Sequence, residues 1–296
     1  SNTSVTMNAA SMENSGFEFS ATYRNRDHAL KYDISANVST LKNKVTSLGI
    51  GKDSYISVAY ATYVGQEIGQ FYGWVYKGIA RTQEELDNNA VQQGANVGDC
   101  LYEDISGPDG TPDGVIDAYD QTVLGSGLPK VNFGLSTHLE YKGFDLNIST
   151  YGVLNYHVSD DIYNSLNSCY GYGNKEVGML DANRWSEDGT YLSSVPRTYA
   201  ANNATLAWND LFSSRKIQNA AYWKIANVEL GYNFPDKWFG GYVSGVRLYV
   251  SAQNLYTFTG YHGYNVDYAG GTFTPGYNFC SFPSARTFMC GLHFTF

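Results

Sequence analysis

Residues Arg286 to Phe296 read R-T-F-M-C-G-L-H-F-T-F. From Phe288 every second residue is apolar: Phe288, Cys290, Leu292, Phe294 and Phe296. Met289, Gly291, His293 and Thr295 alternate with them, and only Met289 breaks the small-or-polar rule. A period of two describes a strand with one greasy and one wetter face. The segment closes on an aromatic residue, with another two positions earlier. A soluble domain usually ends in a polar, frayed tail. This ending fits the final strand of an outer-membrane barrel. The last strand of a soluble β-sandwich would show the same alternation, so this segment does not separate the two.

The same rhythm recurs along the chain. In Gly16 to Arg24, Phe17, Phe19, Ala21 and Tyr23 oppose Glu18, Ser20, Thr22 and Arg24. Asn25 to His28 reads as a turn, and Tyr32, Ile34, Ala36 and Val38 then alternate with Lys31, Asp33, Ser35 and Asn37. Each strand has the length, about 9–11 residues, that a tilted strand needs to cross a bilayer. Tyr55 to Val64 and Gly69 to Ile79 read as two further strands. Thr82 to Asn89 contains a capping-box start, Thr82 followed three residues later by Glu85, and predicts a short helix. Val131 to Tyr141 and Phe144 to Gly152 alternate strongly around a tight Lys142-Gly143 turn. Strands return at Tyr222 to Phe234 and Gly245 to Phe258.

Roughly eight to ten strands are therefore expected, with Glu18, Lys31, Asp33, Glu140, Asp145, Glu229 and Arg247 on the polar face. A sandwich would turn its apolar face inward. A membrane barrel would turn that face to lipid and line a wet lumen with the charges. Short turns alternate with long polar stretches, Tyr156 to Asn219 and Thr259 to Ser284. Long structureless stretches are unusual in compact domains, but they are natural as extracellular loops. A helical piece is expected near Met179 to Trp185. The asymmetry favours the barrel.

Composition agrees. The 296 residues include 31 Gly and 26 Tyr, which suits half-buried strands and polar turns. Charged residues are 16%, against about 25% typically. No run approaches 18 apolar residues, so no membrane-spanning helix is expected. A mean hydropathy of −0.33 is compatible with a barrel, where only alternate residues meet lipid. A net charge of −9 with no basic run argues against nucleic acid as a partner. Cys100, Cys169, Cys280 and Cys290 form no zinc pattern; Cys290 reads as a small hydrophobe on the apolar face. Residue 1 opens a polar stretch with no leader-like pattern, and the chain reads as a fragment of a longer protein.

One stretch carries chemistry. Asp109 to Asp120 reads D-G-T-P-D-G-V-I-D-A-Y-D. Asp109, Thr111, Asp113, Asp117 and Asp120, with the carbonyl of Val115, stand at EF-hand-like spacing for oxygen ligands around Ca²⁺, with Gly114 at the sharp turn. Thr at the third position and Asp at the twelfth depart from that pattern. The competing reading is an acidic, Gly-rich turn held by its own hydrogen bonds. No nucleophile, metalloprotease or phosphate-loop pattern is present, and no enzyme is expected. Tyr170-Gly171-Tyr172 and the aromatics between Tyr261 and Tyr277 are suited to stacking on sugar rings, or to packing within their own loops.

Several stretches resemble the SusC/RagA-like TonB-dependent transporters of the Bacteroidota outer membrane. They are N-A-A-S-M-E-N-S-G-F-E (Asn8 to Glu18), G-Q-E-I-G-Q-F-Y-G-W-V-Y-K-G-I (Gly65 to Ile79), D-G-V-I-D-A-Y-D-Q-T-V-L-G-S-G-L-P-K-V-N-F-G (Asp113 to Gly134), Y-W-K-I-A-N-V-E-L-G-Y-N-F-P (Tyr222 to Pro235), R-L-Y-V-S-A-Q-N-L-Y-T-F-T (Arg247 to Thr259) and the final S-A-R-T-F-M-C-G-L-H-F-T-F. The resemblance implies an all-β fold, with residues 1–296 forming the C-terminal part of a 22-stranded antiparallel barrel. The plug domain and earlier strands would lie outside the chain. It implies uptake of oligosaccharides or peptides, TonB and a SusD-like surface lipoprotein as partners, no required cofactor, and Phe296 as part of the barrel-assembly signal. A secreted all-β carbohydrate-binding or adhesin-like module with a structural calcium loop is the alternative.

Overall fold

The computed structural model describes residues 10–49, 51–168, 174–177, 185, 195–198, 208–240, 243–267, 270–279 and 281–295. Its main feature is a seven-stranded antiparallel sheet in which each strand neighbours the next one of the sheet along the chain. The strands are β1 (Glu18–Asn25), β2 (Leu30–Thr40), β3 (Val131–Tyr141), β4 (Phe144–Leu154), β5 (Tyr222–Phe234), β6 (Gly245–Thr259) and β7 (Thr287–Thr295). The register turns alternation along each strand into rows across the sheet. Tyr23, Ile34, Thr137, Ile148, Val228, Ala252 and Phe288 form one row. Arg24, Asp33, His138, Asn147, Glu229 and Ser251 form the next, on the opposite face. Paired residues share a face, so a one-residue slip anywhere would mix the two.

The apolar rows are uncovered. Leu135 and Leu230, on inner strands, are 41% and 43% exposed. A sandwich would bury them under a second sheet, and lipid does the same for a barrel. Aromatic clusters mark both ends of the apolar band. At the short-turn end Phe144 packs on Tyr232 at 4.6 Å and Tyr232 on Phe234 at 4.9 Å. At the other end Trp223 stacks on Phe258 at 5.3 Å. Among the described residues no helix is long and apolar enough to cross a membrane.

Connections sort by length as expected. At one end β3 and β4 are joined by Lys142 and Gly143 alone, with φ of 47° and 88°. Both angles are positive, as a two-residue hairpin turn matched to strand twist requires. β1 and β2, and β5 and β6, also join at this end. The long connections 41–130, 155–221 and 260–286 all lie at the opposite end.

There the chain builds a folded cap. The β1–β2 hairpin continues beyond the wall as Ser11–Ser15 paired with Lys42–Ser47. Connection 41–130 forms its own four-stranded sheet and a short helix, α1 (Gln83–Asp87). Thr82 caps α1 as expected, its hydroxyl accepting from the Glu85 amide at 3.2 Å. The Glu85 carboxylate reaches back to the Arg81 amide, one residue before the cap. Cys100, Tyr102 and Ile116 form a core with Trp74, Tyr76 and Trp208. Val153, Tyr156, Val158, Ala220, Tyr222, Tyr261 and Val266 form a second, at the junction of wall and cap.

Two expected strands belong to this cap rather than to the wall. Tyr55 to Val64 is a hairpin, Ser54–Ile56 with Tyr60–Tyr63. Gly69 to Ile79 divides into Gln70–Gly73 and Tyr76–Ile79, which pair in different sheets. Their aromatics fill the cap interior: Phe71 is fully buried, and Tyr60 packs on it at 5.3 Å. Residues 179–184, Tyr170 to Tyr172, Cys169, Cys280 and Phe296 lie outside the described residues.

Gly143 has φ of +88°, and a Cβ there would sit 2.9 Å from the Asn233 carbonyl oxygen. Gly143→Val should destabilise the barrel by about 2 kcal/mol, whereas Lys142→Asn, suited to the same turn, should be neutral. Urea unfolding of the full-length protein in detergent, followed by tryptophan fluorescence, measures both.

Candidate functional site

The polar face of the sheet is the candidate site, and its chemistry changes from one end to the other. Near the short turns it is densely charged. Arg247 on β6 donates from Nε and Nη2 to the two carboxylate oxygens of Asp145 on β4, at 3.0 and 2.5 Å. Its Nη2 also reaches Glu229 on β5 at 2.7 Å. β5 lies between β4 and β6, and the pair spans it over Gly231. A Cβ at Gly231 would stand 2.5 Å from both the Arg247 guanidinium and the Asp145 carboxylate. Gly231 is therefore a gap left in the row so that two charges can meet. Further along, His138 lies between Asn147 at 2.6 Å and Glu140 at 2.8 Å. Glu140 also faces Lys31 at 3.6 Å and Arg26 at 3.5 Å, and Arg26 bonds Asp33.

Towards the cap the face becomes uncharged. Asn37, Asn132, Ser136, Ser149 and Tyr151 border an open cleft of about 580 Å³. The Asn37 amide lies over Gly134, where a Cβ would be 2.9 Å away. At the cap itself Lys224 returns a charge. It pairs with Asp267 at 2.5 Å, and Asp267 accepts the Tyr151 hydroxyl at 3.2 Å.

The cap is fastened by three buried carboxylates, and each collects donors from separate segments. Asp99, 1% exposed, takes Arg197 through two bonds at 2.6 and 2.9 Å, the Asn209 amide at 2.8 Å and the Asn96 backbone at 2.8 Å. Asp160 caps α2 (Asp161–Leu166) through the Tyr163 amide at 2.9 Å. Its other oxygen accepts from the Tyr261 hydroxyl and from Asn278 at 3.2 Å. Burial, and then the bond to Asp160, pushes the Tyr261 phenol above its ordinary value. Asp120 is fully buried and accepts from Ile105 at 2.8 Å, Ser106 at 3.1 Å and Asp117 at 2.8 Å. A buried carboxylate is tolerable only with such complete partnering.

The acidic loop is arranged around its own backbone. Asp109 accepts from the Thr111 amide at 3.2 Å and hydroxyl at 2.9 Å. Those bonds, the hydroxyl first, hold the Asp109 carboxyl below its ordinary value. Asp113 accepts from Val115 at 3.0 Å, and Asp104 from Gly114 at 2.7 Å. Asp117 and Asp120 cap the turn Ala118–Asp120 reciprocally. Among the described residues no group of three or more His, Cys, Asp or Glu side chains converges to hold a metal. Asp109, Thr111, Asp113, Val115, Asp117 and Asp120 are thus strung along the loop, with their carboxylates directed at amides.

Sequence reasoning missed the roles of Asp99, Asp160 and Lys224. Asp160 carried a signal, since Asp160-Asp161 precedes an apolar helical turn. Asp99 carried none, because its partners Arg197 and Asn209 are about a hundred residues away.

No family model matches the chain. The TonB-dependent receptor P3 of Formosa agariphila is 30% identical over 98% of this chain, which spans 29% of that protein. SusC of Bacteroides thetaiotaomicron, also a TonB-dependent receptor, is 25% identical over the whole chain, which spans 27% of it. The chain therefore covers less than a third of each of these relatives. Among solved structures, that of the RagAB peptide transporter superposes with a TM-score of 0.75 at 21% identity, covering 96% of this chain and 29% of that one; this similarity speaks for the fold. The alternation, the uncovered apolar face and these relatives agree on an outer-membrane β-barrel. The chain is similar over nearly its whole length to part of the SusC-like TonB-dependent receptors, and its wall has the fold of an outer-membrane β-barrel.

Proposed function

We propose that the chain is the C-terminal part of the barrel of an outer-membrane importer for oligosaccharides or peptides. TonB drives it, through a part of the protein beyond this chain, and a SusD-like surface lipoprotein covers its mouth. The observation that carries this reading is the sheet's division into two faces. One face presents uncovered apolar rows to lipid. The other carries hydrogen-bonded charge and amide rows suited to a water-filled lumen. The relatives' names, TonB-dependent receptor and SusC, and the peptide transporter RagAB, support import as the activity.

On this reading a solute would descend along the uncharged strip bordered by Asn37, Asn132, Ser136 and Ser149, where amides and hydroxyls exchange hydrogen bonds with it. The charge belt below keeps the strand walls in register. The seven strands leave β1 and β7 as open edges, which hydrocarbon does not tolerate. The rest of the barrel would pair them. The acidic loop serves here as a self-capped turn that anchors Ile105 and Ser106 through Asp120.

Three outcomes test this. The full-length protein should fractionate with the outer membrane and dissolve only in detergent, and uptake should stop in cells lacking TonB or the neighbouring lipoprotein. A detergent-free soluble protein would instead favour the secreted module. Arg247→Met leaves Asp145 without its ion partner and should cost about 2 kcal/mol in urea unfolding; Gly231→Leu should do comparable damage by displacing the same pair. Millimolar calcium should leave the thermal unfolding midpoint unchanged. A rise that Asp109→Asn and Asp113→Asn abolish would restore a metal to the loop.

A further inference from the structure

Where β5, β6 and connection 260–286 meet, a cleft of about 340 Å³ opens. Lys224, Asn254, Thr257, Tyr264, Asn265 and Arg286 are among its lining residues. In a chain of net charge −9, this lining holds two cations and no carboxylate. The two cations differ. Lys224 is balanced by Asp267 at 2.5 Å from outside the lining. Arg286 is exposed, and among the described residues no carboxylate lies within ion-pair distance of it.

The cleft has a definite structural cause. Between Asn227↔Gln253 and Ile225↔Tyr256, β6 spends two residues, Asn254 and Leu255, where β5 spends one. Such a bulge bends the strand and re-aims its side chains. Asn254 takes φ of 51° and donates to the Ala285 carbonyl at 2.9 Å. That bond fixes the residue immediately before Arg286. On the opposite side Asn265 donates to the Phe282 carbonyl at 3.1 Å and accepts from the Asp267 amide at 2.9 Å. Gly263 lies so close to Tyr261 that a Cβ there would meet its hydroxyl oxygen at 2.1 Å. Arg286 therefore follows a stretch of backbone held at two carbonyls, those of Phe282 and Ala285. Lys224 pairs in register with Thr257 and Tyr151, which places the cleft at the cap end of the polar face.

We propose that this cleft is an anion-binding subsite, which takes a carboxylate group of the imported molecule through Arg286. The proposal rests on the import reading above. A guanidinium fork matches a planar carboxylate with paired hydrogen bonds. Tyr264, 67% exposed on the same lining, offers a ring face to the sugar or side chain that bears the anion.

The test uses the full-length receptor with its lipoprotein, titrated calorimetrically with two probe pairs: trigalacturonate against galactotriose, and an acidic tripeptide against its amidated, uncharged form. At least one acidic probe should bind tenfold or more tightly than its uncharged partner, and the preference should shrink as salt rises. Arg286→Gln should remove that preference, while Arg286→Lys keeps part of it. Wild-type protein with no acidic preference in either pair overturns the subsite, as does a preference that survives Arg286→Gln. If Arg286→Gln does not assemble, Arg286→Lys and the salt dependence decide by the same criteria. Loss of the subsite with uncharged probes still bound leaves the import reading standing. Binding of no probe, together with failure to fractionate with the membrane, removes that reading itself.

Discussion

Every backbone amide of the inner strands must find its partner inside the wall. Hydrocarbon offers no hydrogen bonds, and each unpaired amide there costs several kcal/mol. The unbroken eleven-pair ladder between β3 and β4, and its equal between β2 and β3, meet that demand. Once the ladders are continuous, side chains have no freedom to choose a face. Register then places Leu135, Ile148 and Leu230 towards lipid and His138, Asp145 and Glu229 towards water. The two bulges, at Ala226 of β5 against β4 and around Asn254 of β6 against β5, are confined to the cap end, next to the junction core. There the chain leaves the regular wall and can bend without exposing an amide to lipid.

The polar face is held by charge that has been arranged, not merely collected. Surface ion pairs contribute little where water screens them. The Arg247–Asp145 pair is different in geometry: Asp145 is buried, accepts a two-bond fork from Arg247, and also takes Asn233 at 2.9 Å. It crosses an intervening strand, so it links β4 to β6 independently of the ladders through β5. Gly231 makes this crossing feasible, and its lack of a side chain is explained by the pair above it, since its own backbone is ordinary strand.

The cap follows a different rule. Its segments are short, its sheets are small, and its aromatic cores are modest. Asp99, Asp120 and Asp160 supply the missing definition by gathering amides and side chains from segments far apart in sequence. A carboxylate with several donors is a strong, directional fastener in a low-dielectric setting. The acids of this kind are occupied by the chain itself, and among the described residues none converge as a metal cage.

Period-two alternation is a local property, and it was enough to locate all seven wall strands, the Lys142-Gly143 turn and the division of lengths between the two ends. The helix start at Thr82 was legible for the same reason, since a cap is a relation between residues three apart. The alternation in Tyr55 to Val64 and Gly69 to Ile79 misled. It is the same pattern whether a strand crosses lipid or folds into a small aromatic core, and only the packing of Phe71 against Tyr60 and Phe212 distinguishes them. The acidic loop was legible as a turn, but the destination of its carboxylates was not, because Asp120 bonds Ile105 and Ser106 rather than its loop neighbours alone. Pairings such as Arg247 with Asp145, Arg197 with Asp99 and Tyr261 with Asp160 join residues about a hundred positions apart. No local pattern encodes such distances; they arise only when the ladders bring the strands side by side and fold the connections over them.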